Sequence, residues 1–105
     1  MSDGAKFDES KTQWDFLLGM LGPQAEQVCQ VLMYGAKKYK EHPDDPNYRK
    51  LKDAKRRTLN AATRHVVARL MGQRIDKDSG HPHLALAVAE ILFAMWHDDN
   101  PRQEQ

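Results

Sequence analysis

The stretch HLALAVAEILFAMWH at residues 83–97 decides the fold class of this chain. Its apolar side chains recur every three or four residues, which is the spacing of one face of an α-helix. We predict a helix that begins at Ser79 or Gly80 and has Pro82 in its first turn, because a cap residue followed by proline is typical of a helix start. The predicted core-facing stripe consists of Leu84, Ala87, Val88, Ile91, Leu92 and Met95.

The same spacing predicts two further helices upstream. A short apolar segment at residues 14–21 is followed by a helix over residues 23–39, with Pro23 in its first turn. The longest predicted helix covers residues 48–71 and has Gly72 as its C-cap. Polar loops separate the helices, and strand-like alternation never exceeds four residues. The expected fold class is all-α, with three main helices plus a short N-terminal segment.

The length and composition limit the possible classes of protein. A chain of 105 residues and 12.1 kDa is long enough for one domain. We expect an arm at residues 1–13, a single all-α domain at 14–98 and a flexible tail at 99–105. Neither a membrane span nor a signal pattern occurs, and the lone Cys29 fits a reducing cytoplasm. The net charge of +1 argues against binding to a long nucleic acid.

The last predicted helix is apolar on more than one face. Leu86, Phe93 and Trp96 lie off its main stripe. Since three helices of this length enclose a small core, such a helix needs a second surface to pack against. We therefore expect the helical bundle to be completed by homo-oligomerisation, most simply as a two-fold dimer.

Basic and aromatic side chains alternate at the end of the helix predicted over residues 23–39. Lys37 and Lys38 are flanked by Tyr34 and Tyr39. Lysines beside aromatic faces suit a ligand that carries phosphates and a base. Lysines in the last turn of a helix also complement its dipole, so this simpler explanation stays open.

Two weaker groups add candidate ligand-binding residues. One lies near the N-terminus and contains Lys11 and Trp14, although Trp14 can also serve simply to dock the segment on the core. The other combines a basic pair in the longest helix with polar residues of the following loop and helix: Arg64, His65, Asp78 and His83. Small residues around His65 either permit close packing or leave room for a ligand.

A metal site is not predicted from these residues. No predicted helix carries histidines one turn apart, and a single cysteine excludes a four-cysteine zinc site. Cys29 lies in mid-helix near the apolar face, where we expect a buried and inert thiol.

Four motifs occur in order along the chain: KFDESK at 6–11, VLMYGAKKY at 31–39, RH at 64–65 and DKDSGHPHLA at 76–85. This series resembles the dATP/dGTP diphosphohydrolase N-terminal domain family, whose members are small and mostly phage-encoded. That family is usually discussed beside the MazG-like all-α nucleotide pyrophosphohydrolases. The resemblance covers residues 6–96.

The resemblance implies an all-α oligomer that handles deoxynucleoside triphosphates or related nucleotides, in the host cytoplasm if the gene belongs to a phage. Two departures from the family pattern are Leu86, where a histidine is frequent, and Tyr48, where tryptophan is common. The residues on the family's motif positions are Lys37, Lys38, Arg64, His65, Asp78 and His83.

The carboxylate pairs used by MazG-type enzymes are missing from the predicted helices. Those enzymes hold Mg²⁺ with Glu-x-x-Glu and Glu-x-x-Asp pairs, because several carboxylates on adjacent helical turns must face the metal. The only formal match here, Glu41 with Asp44, straddles Pro43 in a loop. We therefore assign no catalytic residue and no metal ligand, and Mg²⁺ is a cofactor only if the protein is an enzyme.

The function expected from the sequence is binding of a phosphorylated nucleotide or a nucleotide-derived signal, with sequestration of a host defence signal as the main hypothesis. The alternative is a Mg²⁺-dependent dATP/dGTP pyrophosphohydrolase, and a second alternative is a protein–protein inhibitor. Lys37, Lys38 and Arg64 would contact phosphate. The base or ribose would stack on Tyr34, Tyr39 or Trp14. Hydrogen bonds in the pocket would come from His65, Asp78 and His83.

Overall fold

The computed structural model describes residues 10–40, 42, 44 and 46–101. Within this part of the chain no strand occurs, so the predicted all-α class is confirmed. None of its helices is long and apolar enough to cross a membrane. Most of the predicted arm, including Lys6, and residues 102–105 of the predicted tail lie outside the described residues. The elements are α1 (Trp14–Lys38), a 3-10 helix (Asn47–Lys50), α2 (Ala54–Leu70) and α3 (His83–Asp99).

Helix α1 joins two segments that the sequence pattern separates. The predicted break at Gly22–Pro23 is a kink, with non-helical backbone angles at Leu21 (φ −136°, ψ 35°), and the chain continues as helix on both sides. Pro23 explains the kink, because its ring and its missing N–H disturb the turn that precedes it. The 25 residues of α1 thus form two helical segments that meet at the kink, which agrees with the predicted separation of a short apolar segment from the helix that follows it.

Helix α2 begins six residues later than predicted, at Ala54 instead of residue 48. Asp53 adopts a left-handed conformation (φ 55°), and this conformation separates α2 from the 3-10 helix before it. The predicted C-cap is confirmed. Gly72 has φ +94°, which suits glycine, and the N–H of Gln73 donates to the carbonyl of Ala68 at 3.0 Å.

Helix α3 begins at His83, later than the predicted start at Ser79 or Gly80. Pro82 lies just before the helix with extended angles (φ −60°, ψ 135°) and not within its first turn. The preceding loop has its own hydrogen bonds, because the N–H of Asp76 donates to the carbonyl of His81 at 2.9 Å and the N–H of His83 donates to the carbonyl of Arg74 at 2.9 Å. These bonds hold the loop closed and delay the start of the helix.

The core is built from small side chains. The buried apolar residues are Val31 of α1, Ala54 and Ala62 of α2, and Ala85, Ala87, Ala89 and Ala94 of α3. Alanine lets helix backbones approach closely. The prediction that the bulky stripe of α3 faces the core is wrong except for Ala87. Its other members, Leu84, Val88, Ile91, Leu92 and Met95, are 41–53% exposed.

Helix α3 lies at the centre of the bundle, with α1 and α2 packed against it. Val31 of α1 packs on Ala85 and Ala89, and Tyr34 meets the ring of His81 edge-on at 5.1 Å. Since a later residue of α1 faces an earlier residue of the α3 region, the two helices run antiparallel.

The 3-10 helix is anchored on the C-terminal half of α3. Tyr48 stacks on Phe93 with ring centroids 4.4 Å apart. His97 is fully buried, and its Nε2–H donates to the backbone carbonyl of Tyr48 at 2.9 Å. This attachment determines where Arg49 is placed.

Candidate functional site

A groove of about 1130 Å³ opens between α1 and α2. We call this cavity the groove. Its volume lies slightly above the usual range of small-ligand sites, roughly 300–1,000 Å³. Helix α3 forms the floor, and the loops after α1 and α2 contribute to the rim. The floor residues are Leu86, Ala89, Glu90 and Phe93.

The lining of the groove carries more positive than negative side chains. Among the residues that the structure describes, five basic ones line it against three acidic ones, so this part of the groove favours anions although the whole chain has a charge of only +1. The basic residues are Lys38, Arg49, Arg56, Arg57 and Arg64, and the acidic ones are Asp76, Asp78 and Glu90.

These basic side chains differ in the contacts that they make within the chain. Arg56 Nε donates to Asp53 Oδ2 at 2.5 Å, and the Arg57 guanidinium donates to the carbonyl of Lys52 at 3.4 Å. The guanidinium of Arg49 lies 4.9 Å from the centre of the Trp96 ring. Arg64 forms no ion pair with any residue that the structure describes. It is exposed, and it is therefore available to an anionic ligand.

Two histidines meet at one end of the groove. His65 Nδ1 lies 2.9 Å from His83 Nδ1, so one of these atoms must carry the proton that the other accepts. His65 lines the groove, whereas His83 is buried behind it. Burial lowers the pKa of His65 below its usual value, the nearby His83 lowers it further, and Asp76 opposes both. His65 is therefore neutral at pH 7.

The loop before α3 holds one carboxylate in an ionised form. Asp76 Oδ2 accepts hydrogen bonds from the hydroxyl of Ser79 at 2.7 Å and from its backbone N–H at 3.1 Å. These bonds lower the pKa of Asp76, and the hydroxyl contributes most. Gly80 permits this turn because its φ is +77°, a conformation that favours glycine. The loop thus places a negative charge beside the histidine pair.

Among the described carboxylates that line the groove, Glu90 is the most buried. Burial raises its pKa, and Arg64 nearby partly opposes this effect. Glu90 forms no hydrogen bond or ion pair with a described residue. An ionised Glu90 therefore carries a cost in the folded protein that a charged neighbour only partly offsets.

The structure brings together six of the ten residues that the sequence predicts to bind a ligand: Tyr34, Lys38, Tyr39, Arg64, His65 and Asp78. His83 contacts the groove only through His65. Lys37 does not line the groove, and Lys11 and Trp14 lie at the opposite end of α1, which is roughly 36 Å long at 1.5 Å per residue.

Several groove residues are not predicted from the sequence. The arginines of the 3-10 helix and α2 are not among the ligand-binding residues that the sequence predicts: Arg49, Arg56 and Arg57. Arg57 and Arg64 lie seven residues apart on one helix face, a signal that would have identified Arg57. The prediction of a buried thiol is wrong, because Cys29 is exposed and lines the groove.

The sequence model of the family described as "dATP/dGTP diphosphohydrolase, N-terminal" matches residues 1–105. The chain belongs to this family. A protein of Salmonella phage PMBT28 named "dATP/dGTP diphosphohydrolase" is 32% identical to it over 94 residues. That match covers 89% of this chain and 29% of the relative, so the chain spans less than a third of the relative's length. No solved structure matches the chain significantly.

Membership of the dATP/dGTP diphosphohydrolase N-terminal family raises the question of Mg²⁺, which hydrolases of this kind are expected to use. The described residues contain no group of three or more His, Cys, Asp or Glu side chains able to hold a metal ion. Asp76 already accepts a hydrogen bond from Ser79, and burial disfavours the charged form of Glu90. The described carboxylates therefore do not fit a magnesium site, and we assign them no hydrolytic step.

Proposed function

We propose that this domain binds the phosphates of a purine deoxynucleoside triphosphate in the groove and thereby forms the substrate-binding part of a dATP/dGTP diphosphohydrolase. The observation that carries the proposal is the convergence of Lys38, Arg64 and His65 from two helices on one groove. The name of the relative supports dATP or dGTP as substrate and favours hydrolysis over sequestration. Sequestration of a host signal and inhibition of another protein stay predictions from the sequence.

The side chains of the groove divide between the two parts of such a ligand. Arg64 offers a planar guanidinium that pairs with two phosphate oxygens, and Lys38 adds a second positive charge. Neutral His65 donates or accepts one hydrogen bond without adding charge. Tyr39 is 58% exposed, with the Lys38 ammonium 5.4 Å from its ring centre, so its other face is available to a base.

The first experiment asks whether the protein turns nucleotides over or only holds them. The purified chain is incubated with each of the four deoxynucleoside triphosphates, with and without Mg²⁺, and the mixture is separated by chromatography before and after heat denaturation. Monophosphate and pyrophosphate formed from dATP or dGTP over many turnovers establish hydrolysis by this chain. An intact triphosphate that is retained until heating establishes binding alone. Absence of both retention and turnover contradicts the proposal.

The second experiment locates the site with a matched pair of lysines. We expect Lys38→Ala and Arg64→Ala to weaken dGTP binding by about 1–3 kcal/mol each, because each removes a charged partner of a phosphate. Lys37→Ala removes the same charge from the neighbouring position, outside the groove, and is expected to have little effect. Isothermal titration calorimetry measures the three affinities. Equal losses for Lys37→Ala and Lys38→Ala would show that general charge, and not the groove, binds the nucleotide.

A further inference from the structure

The hydrogen bonds of the buried His83 determine which of its two ring nitrogens carries a proton. A neutral imidazole has one proton, on either Nδ1 or Nε2. His83 Nδ1 lies 2.9 Å from His65 Nδ1, whereas His83 Nε2 makes no hydrogen bond with a described residue. Since His83 is 7% exposed, a proton on Nε2 would leave a buried donor unsatisfied. The proton therefore lies on Nδ1, which donates to His65.

This hydrogen bond fixes the tautomer of His65. Because His65 Nδ1 accepts a hydrogen bond, the single proton of the neutral His65 ring lies on Nε2. His65 lines the groove, and its Nε2 makes no hydrogen bond with a described residue. His65 thus presents one uncharged N–H donor to a ligand in the groove.

The charges around His65 favour a neutral acceptor over a phosphate oxygen. Asp76 is ionised, and it is close enough to His65 to influence the pKa of that imidazole. Asp78, a second acidic residue of the same loop, also lines the groove. A phosphate next to His65 would meet these like charges, whereas an uncharged ring nitrogen or carbonyl oxygen would not. The donor of His65 is therefore suited to the base of a nucleotide.

We infer that His65 donates its Nε2–H to N7 of a purine base and so selects purines over pyrimidines, and that His83 is the positioning residue that sets this donor. The inference rests on the proposed function, since it assigns the base of the ligand proposed above. N7 is an acceptor in adenine and guanine alike, and a pyrimidine has no ring nitrogen at this edge. In the common anti form of a nucleotide, N7 lies on the side of the base nearest the 5′-phosphate. Arg64, the proposed phosphate partner, is the chain neighbour of His65.

The first test compares dGTP with 7-deaza-dGTP, in which a carbon replaces N7 and the rest of the molecule is kept. Calorimetric titration of the full chain should give an affinity for dGTP about 5–10-fold above that for 7-deaza-dGTP, because one neutral hydrogen bond is lost. His65→Ala should bind both nucleotides alike. His42→Ala removes another histidine of the groove and should keep the preference.

The outcomes of this comparison separate the inference from the proposed function. Binding of dGTP and 7-deaza-dGTP with equal affinity by the unaltered chain overturns the inference and leaves the proposed function standing. Absence of dGTP binding overturns both. A preference for dGTP that persists in His65→Ala also overturns the inference, because another residue must then contact N7.

The second test reads the tautomers directly and needs no ligand. In nitrogen NMR spectra of the isotope-labelled chain at pH 7.5, His65 should be protonated on Nε2 and His83 on Nδ1. A proton on His65 Nδ1 overturns the inference. The spectra of His65→Ala and His42→Ala assign the signals, since each lacks one imidazole.

Two variants of His83 test its positioning role. His83→Asn keeps an amide N–H near the position of the lost Nδ1–H, so the preference for dGTP over 7-deaza-dGTP should be preserved. His83→Leu removes the donor, so His65 should populate both tautomers and the preference should largely disappear. A merely structural role of His83 would weaken the binding of both nucleotides equally. An unchanged preference in His83→Leu therefore overturns the assignment of His83.

Discussion

The two sides of α3 differ in side-chain size and in charge. The side that faces the rest of the chain carries alanines, a partly buried carboxylate and two buried histidines, whereas the opposite side carries large aliphatic residues open to solvent. Small residues let α1 and α2 approach α3 and enclose the groove. Large residues on the other side have no described residue to cover them. One helix thus forms the groove floor on one side and an open apolar surface on the other, and substitutions on its two sides should act differently.

The largest expected effect comes from enlarging a side chain on the packed side. Ala85 is 5% exposed, lies against Val31 and does not line the groove, so Ala85→Leu has little space for the added atoms. We expect a loss of about 1–3 kcal/mol in the free energy of unfolding. Val88→Leu, on the open side of the same helix, should change this value by less than about 1 kcal/mol. Denaturation in urea measures both, and similar losses would contradict the difference between the two sides.

The next effect concerns the histidine pair. His65→Ala leaves the buried Nδ1 of His83 without its hydrogen-bond partner, which should cost about 1–2 kcal/mol at pH 7. Because the pKa of His65 is lowered on folding, the unfolded chain binds more protons just below pH 6.5. Wild-type stability therefore falls as the pH decreases from about 6.5 through the lowered pKa, and this contribution is absent from the variant.

The measurement for this prediction is the free energy of unfolding of both proteins between pH 7.5 and 5. The gap between wild type and His65→Ala should narrow as the pH decreases. A constant gap would mean that His65 keeps its usual pKa in the folded protein.

The smallest expected effect concerns Glu90. Its raised pKa means that the folded protein favours the protonated form, so stability is lost as the pH rises from the usual glutamate range through the raised value. Glu90→Gln removes this loss, and the variant should gain stability relative to wild type as the pH rises above the usual glutamate range. Nucleotide binding should tighten by about 0.5 kcal/mol, the interaction of two unit charges roughly 8 Å apart in water.

Glu26→Gln is the control for this prediction, because Glu26 is an exposed glutamate of α1 that does not line the groove. Thermal unfolding across the pH range and calorimetric titration with dGTP measure the two effects. The same response in both variants would contradict a special position of Glu90.

The sequence predicted the helical class, the approximate positions of the three helices and the glycine that ends α2. Each of these depends on local spacing or on the conformational freedom of one residue. The helix starts were less accurate, because hydrogen bonds within the loop before α3 and the left-handed Asp53 before α2 compete with the helical pattern. The prediction that the large apolar residues of α3 face the core is wrong. Hydrophobicity alone favours burial of large side chains, whereas the close packing of α3 against its neighbours places alanines in the core.

The candidate site was only partly predictable for the same reason. Lys38, Arg64 and His65 stand out as chemistry-bearing residues in sequence, and they line the groove. Lys37 is also a lysine and is the neighbour of Lys38 in the chain, but it lies on a helix face that does not line the groove. Arg49 reaches the groove only because Tyr48 is held by His97, 49 residues further along the chain.

The sequence by itself determined that this chain is an all-α member of a nucleotide hydrolase family with a local excess of basic residues near Tyr34. Helical spacing and motif order are properties of neighbouring residues, and they are readable without distances. Only the tertiary structure decided which residues share the groove, that His65 meets His83, and that the large aliphatic residues of α3 face outward. Those outcomes depend on how closely α3 packs against α1 and α2, which is set by alanine contacts between residues far apart in sequence.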